Sequence, residues 1–310
     1  PQFDHTLEMD TEEVVTDKQR YIVRSEAGFA SMYSDPFGEF TVTADFKTEY
    51  SIAQRFYGKV DFQGHQVTKE YTQRGNAPYL IDKLEEGALI ENLNYNYSWH
   101  TANVVANTAG LIRYNNGTVC NLIAHMNFNN PANNYGYAGL IYQNYATGRL
   151  ENFVIILDED FVLNYAGAVG VKDNIGTVRN GYLCTENDSK ITDYTPAGGG
   201  VNKSYRGGIV SSNGVTGTVE QVYSLVTLEN HTPASSTAYG GTIIGVNSGT
   251  FQNSFTTAHD LLDERPLETS GPAVGDSNGR KTELTVIRTA SLGFIIYNPC
   301  LLYTSDAADD

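Results

Sequence analysis

The chain is poor in cysteine, poor in basic charge and free of long apolar runs. Cys120, Cys184 and Cys300 are its three cysteines, with no Cys-x-x-Cys and no paired spacing, so they define neither a disulfide framework nor a zinc site. Lys and Arg total 20 against 36 Asp and Glu, a formal net charge of −16. A surface this acidic repels DNA, RNA and anionic membranes. No apolar stretch approaches the ~18 residues a membrane helix needs. Residue 1 is Pro and no signal-peptide pattern follows, so the chain is read as an excerpt of a longer protein. What is present is a composition 40% hydrophobic and 18% charged, enough to bury a core, with 30 Gly and 21 Tyr that favour strands over helices.

The informative pattern is an internal repeat. Gly117-Thr-Val-Cys-Asn121, Gly148-Arg-Leu-Glu-Asn152, Gly176-Thr-Val-Arg-Asn180, Gly217-Thr-Val-Glu-Gln221 and Gly249-Thr-Phe-Gln-Asn253 share one motif, with Ala88-Leu-Ile-Glu-Asn92 as an earlier variant. A second motif precedes each of the five: Ala109-Gly-Leu-Ile112, Ala138-Gly-Leu-Ile141, Ala166-Gly-Ala-Val169, Gly207-Gly-Ile-Val210 and Gly241-Thr-Ile-Ile244. Short apolar stretches bounded by Gly and Asn are strands, and repetition at about thirty residues marks a solenoid. The expected fold is all-β, a right-handed parallel β-helix of about six coils. Gly is expected to supply positive φ at each corner. Asn92, Asn121, Asn152, Asn180, Gln221 and Asn253 are expected to stack as a structural amide ladder along the axis.

A solenoid needs caps, because its end coils expose strand edges. Residues 21–76 supply one. Arg24 to Ser34 reads as a helix with Ser25 as N-cap, stopped by Pro36 and Gly38. Glu39 to Phe46 alternates as a strand, with Phe40, Val42 and Ala44 on one face. The repeats run over 77–256, residues 1–20 form a leader, and 257–299 an irregular segment. Residues 300–310 break the style of the rest and resemble a translated sequencing adaptor.

The order helix, Gly38-Glu-Phe-Thr-Val-Thr-Ala-Asp45, Phe56-Tyr-Gly-Lys-Val-Asp-Phe-Gln-Gly-His65, then Gly-Leu and Gly-Thr-Val-x-Asn repeats resembles GLUG-repeat bacterial surface proteins. It is also similar to the β-helical N-terminal region of streptococcal IgA1-protease-type zinc metallopeptidases. The resemblance implies a parallel β-helix on a secreted or wall-attached protein, beside other domains and facing a host glycan or glycoprotein. It departs from the peptidases in their catalytic signature: none of the six His residues begins a His-Glu-x-x-His motif. No metal or cofactor is expected.

Candidate chemistry lies off the repeat. Asp158 and Asp160, with Asp193 in the longest coil, are the carboxylates that a β-helix lyase or hydrolase would use, or else a solvated acidic loop. Trp99 and Tyr97 form an aromatic cluster that either stacks on sugars or packs over the solenoid. Glu186 to Arg206 is a polar insertion, the place in a solenoid where binding surfaces concentrate. The expected function is a non-catalytic scaffold or ligand-binding module. The alternatives are a carbohydrate-active enzyme and a glycan-binding adhesin.

Overall fold

The architecture is that of a computed structural model, described for residues 19–72, 77–99, 107–128, 137–164, 167–185, 187–194, 204–229 and 238–256. Residues 1–18 of the expected leader 1–20, the irregular segment 257–299 and the tail 300–310 lie outside these residues; Arg20, expected in the leader, opens the first strand.

All described strand pairs are parallel, and they build a three-walled β-solenoid. The first wall stacks Arg20–Val23, Glu39–Val42, Lys59–Asp61, Leu89–Trp99, Thr118–Phe128, Arg149–Leu157, Thr177–Thr185, Thr218–Ser224 and Thr250–Gln252. The second stacks Ile52–Phe56, Ile81–Leu84, Ile112–Asn115, Ile141–Asn144, Val171–Asn174, Val210–Asn213 and Ile244–Asn247. The third has five short strands: Thr108–Ala109, Tyr137–Ala138, Gly167–Ala168, Ser204–Gly207 and Ala238–Gly241. The six motif-bearing coils are numbered here from Ile81–Trp99 upward. Five of them have all three walls; for the first, no third-wall strand lies among the described residues.

The core is a set of columns. Ile81, Ile112, Ile141, Val171, Val210 and Ile244 stack from the second wall, and Ile90, Val119, Leu150, Val178 and Val219 from the first, all fully buried. The Gly-Leu motif is the corner between third and second walls, where Leu111 and Leu140 point inward and the glycines let successive coils close: a Cβ on Gly110 would stand 2.5 Å from the Gly139 carbonyl.

The Gly-Thr-apolar-x-Asn motif works differently from the expectation. Gly117, Gly148, Gly176, Gly217 and Gly249 are not among the positive-φ residues; Asn92, Asn121, Asn152, Asn180, Gln221 and Asn253 are, at φ 51° to 56°. In coil 2, Val119 and Leu122 both face the core while Cys120 and Asn121 both face out. Strict alternation forbids that, so one residue must be left-handed, and Asn tolerates this conformation best after Gly. The motif is a phase slip inside the first wall. The glycines serve close approach: a Cβ on Gly117 would lie 2.7 Å from the Ala88 carbonyl.

The N-terminal cap is built as expected but shorter. The helix spans Glu26–Ser31, Ser25 caps it by accepting from the Gly28 N–H at 3.4 Å, and Phe29 and Met32 are buried against the lowest strands. Five further strands of the first-wall sheet precede coil 1, Phe46–Lys47 and Gln66–Tyr71 among them, so the cap extends the stack instead of only covering it. The long insertion also departs from expectation. Ile191–Tyr194 is a strand of a side sheet between Phe161–Asn164 and Leu228–Glu229; 195–203 lie outside the described residues.

Corners between the second and first walls alternate in length. Between strand ends there are four residues in coil 1 (Glu85 to Ala88), two in coil 2 (Asn116, Gly117), four in coil 3 (Tyr145 to Gly148), two in coil 4 (Ile175, Gly176), four in coil 5 (Gly214 to Gly217) and two in coil 6 (Ser248, Gly249). Each long corner is a closed β-turn, with Ala88, Gly148 and Gly217 N–H donating to the carbonyls of Glu85, Tyr145 and Gly214 at 2.9–3.0 Å. Thr147 and Thr216 then hook down, their hydroxyls donating to the Asn116 and Ile175 carbonyls of the short corners beneath, at 2.8 and 3.0 Å.

Candidate functional site

Two amide columns run along the axis, and only the outer one was expected. The Asn121, Asn152 and Asn180 amides each donate to the Asn of the coil below, at 3.0, 3.3 and 3.1 Å, and Asn92 donates to Asp61 at 2.9 Å. Asp61 accepts only, so it forces the Asn92 amide nitrogen downward and orients the amides above it. Gln221 and Asn253 keep the backbone conformation without joining the hydrogen-bonded column.

The second column is buried at the corners: Asn115, Asn144, Asn174, Asn213 and Asn247. Each of the first four donates upward to the next at 2.7–2.8 Å. The same amides satisfy inward-turned backbone: Asn144 donates to the Gly148 and Thr177 carbonyls, and Asn115 accepts from the Gly117 N–H. Its sequence signal is an Asn two or four residues before each motif Gly. Both columns are structural.

Of the two readings of the aromatic pair, packing is the one the structure has. Trp99 is 1% exposed and Tyr97 fully buried, so neither meets a sugar. Alternation past the Asn92 phase slip points 93, 95, 97 and 99 inward, where Trp99 packs against Tyr71, Phe128 and Tyr137. The acidic candidates have separate structural partners. Asp158 pairs with His125 Nδ1 at 3.0 Å, and Asp160 accepts from the Lys190 N–H at 2.9 Å. Asp193 sits in the side-sheet strand opposite Leu163. Among the described residues no group of three or more metal-ligating side chains converges. A cleft of about 550 Å³ beside Glu26, Lys47, Glu49 and Tyr50 lies at the cap, where Lys47 is tied to Glu70 at 2.7 Å and Glu26 accepts from the Glu49 N–H at 2.7 Å.

A different groove, of about 380 Å³, opens where the short corner of coil 2 lies between the long corners of coils 1 and 3. Asn116 forms its floor; Glu85 and Tyr145 stand on the long corners; Arg55, Lys83, Tyr114 and Gln143 line the adjoining wall. The last four occupy one column, Arg55 beside Lys83, then Tyr114, then Gln143. The side chains hold one another in place. Arg55 pairs with Glu85 at 3.3 Å, and Tyr145 donates to Gln143 at 2.9 Å. The rings of Tyr114 and Tyr145 lie 6.2 Å apart at 30°, with Lys83 5.6 Å and Arg113 4.9 Å from the Tyr114 centroid. Burial, with Tyr114 adding to it, pushes the Tyr145 phenol upward, so at neutral pH it is a hydrogen-bond donor. The arrangement sets two half-buried aromatic residues beside amides, an ion pair and a lysine. Its one lining carboxylate among the described residues, Glu85, is held by Arg55.

None of these groove residues stood out in the sequence. Tyr114, Gln143 and Tyr145 lie between repeat motifs, and only the corner lengths bring them beside Arg55 and Glu85, from a strand below the repeats and from coil 1. Comparisons with protein-family models, curated proteins and solved structures return no match.

Proposed function

We propose that this chain is a non-catalytic ligand-binding module of a bacterial cell-surface or secreted protein, and that its ligand is a carbohydrate. The observation that carries the reading is the groove at the coil 1–3 corner, lined by half-buried Tyr114 and Tyr145 beside Asn116, Gln143, Lys83 and the Arg55–Glu85 pair. Sugar rings offer an apolar CH face to an aromatic and hydroxyls to planar polar groups, and this lining has both. Resemblance to GLUG-repeat surface proteins agrees with an external glycan as partner. The solenoid serves as a rigid mount, since its ladders hold the corner residues in register.

The test is binding of the purified chain to an immobilised glycan panel, repeated with Tyr145→Ala and Tyr114→Ala. A carbohydrate signal should fall about tenfold in each variant while circular dichroism is unchanged. Hydrolysis or β-elimination of any bound glycan would turn the reading toward an enzyme. No binding across the panel would sink it.

A further inference from the structure

The groove carries one positive charge that the fold leaves uncompensated. Arg55 and Lys83 are cross-strand partners in the second wall. Like charges directly opposite one another on a sheet repel and cost stability. Glu85 offsets only the first of them, through its 3.3 Å pair with Arg55. The next cation along the wall, Arg113, is held by Asp82 at 3.5 Å and donates to the Asn107 carbonyl at 3.0 Å. Lys83 is half-buried, and among the described residues no carboxylate comes within ion-pairing distance of its ammonium. The contact it does make is with the Tyr114 ring, 5.6 Å from ammonium to centroid. A cation drawn partly out of water beside a second cation is stabilised by an anion that arrives from outside.

We propose that the groove selects acidic sugars: the carboxylate or sulfate ester of one ring pairs with Lys83, the ring lies against Tyr114, and its hydroxyls meet Asn116 and Gln143. The inference rests on the carbohydrate reading above and adds to it the charge of the ligand. Lys83, Tyr114 and Gln143 follow one another along a single column, at ~4.8 Å per strand, so an acidic group held at the Lys83 end sets the rest of the sugar over the next two positions. A groove of about 380 Å³ is small for a ligand pocket, which suits a single acidic ring and not a long polyanion. The chain's net charge of −16 opposes an anionic ligand at long range, but physiological salt screens it beyond about 8 Å. A singly charged ring seated beside Lys83 gains the local pair. A polymer of many charges gains it once and meets the acidic surface along the rest of its length.

The experiment adds to the glycan panel two matched pairs that differ only in charge: trigalacturonate against its methyl ester, and 6-O-sulfated against unsulfated N-acetyllactosamine. Each is titrated calorimetrically against the wild-type chain, Lys83→Met and Lys83→Arg. The wild type should bind the acidic member of at least one pair about three- to tenfold more tightly than the neutral member, and the pair that shows it separates carboxylate from sulfate. Lys83→Met keeps an apolar stem and removes the charge; there the two members should agree within about twofold, with neutral-sugar affinity retained. Lys83→Arg should keep the preference. Circular dichroism checks that both variants fold, and the wild-type comparison decides even without them. Equal affinities within both pairs in the wild type, or a preference that survives in Lys83→Met, overturn the acidic-sugar proposal and leave the carbohydrate reading standing. So does a positive panel in which neither pair binds. A negative panel removes the underlying reading.

Discussion

At Asn121 and Asn144 the same residue type performs two different tasks. Asn121 and its outer-column counterparts are largely exposed and chosen for backbone conformation; their side-chain ladder is secondary. Asn144 is 1% exposed, and its amide is the only described side chain reaching both the Gly148 and Thr177 carbonyls. Two substitutions separate the roles. Asn152→Ala should cost about 1–2 kcal/mol because alanine resists φ near +53°, and Asn152→Gly should recover much of that. Asn144→Ala should cost about 3 kcal/mol by breaking the buried column between the Asn115 amide and the Asn174 side-chain carbonyl oxygen, and glycine should not rescue it. Chemical denaturation of the four variants checks both; equal losses at 144 and 152 would contradict the distinction.

Within the first wall, register converts distant residues into neighbours. Leu122, Phe153, Gly181 and Val222 share one inward column. A Cβ on Gly181 would overlap the Phe153 ring, so the absence of a side chain in coil 4 makes room for the large one in coil 3. Gly181→Ala should therefore destabilise by about 1–3 kcal/mol through overpacking. In the Phe153→Leu background the same change should cost less, a coupling that a double-mutant cycle measures directly. Additive effects would mean the two coils do not share that space. The Gly was legible as a strand residue, but its reason lies 28 positions earlier and is invisible without the register.

For the molecule as a whole, the most consequential titrating group is Lys69, in the same column as Tyr97, Met126 and Leu157. It is 1% exposed, and its ammonium donates to the Glu49 and Tyr50 carbonyls and the Ser51 hydroxyl at 3.0–3.2 Å, fastening the cap to the stack. Burial lowers its pKa from 10.5 to about 8. The folded chain then releases this proton near pH 8 while the unfolded chain holds it to 10.5, so stability rises with pH across that window and its full contribution is lost as pH falls through 8. Tyr95, Tyr97 and Tyr137 act in the opposite sense: burial raises each, so their contribution is complete below the ordinary tyrosine value of 10.0 and declines above it. Stability should gain roughly 1–2 kcal/mol between about pH 8 and 9.5 and then fall, and Lys69→Met should flatten the rising limb. Denaturant titrations at stepped pH measure this; an unchanged slope in the variant would show that Lys69 does not titrate in the window.

The sequence alone determined the parallel stack, because Gly-Thr-apolar-x-Asn and Gly-Leu recur at a near-constant interval and short apolar stretches cannot be helices. It determined the Ser25-capped helix for the same kind of reason, since caps and strand alternation are local. The buried Asn column was present as an Asn before each corner Gly but was overshadowed by the more regular outer Asn. For Tyr97 and Trp99 the sequence left packing and sugar stacking both open; the left-handed Asn92, which sets the phase of every side chain after it, turns them into the core. Tertiary structure decided the groove. Arg55, Glu85, Tyr114 and Tyr145 are up to ninety positions apart, and two additional residues in alternate corners, a difference small beside the spacing of the repeats, create the recess that joins them. Backbone periodicity is written locally and repeatedly, whereas a recess depends on the difference between neighbouring coils, which exists only once they are stacked.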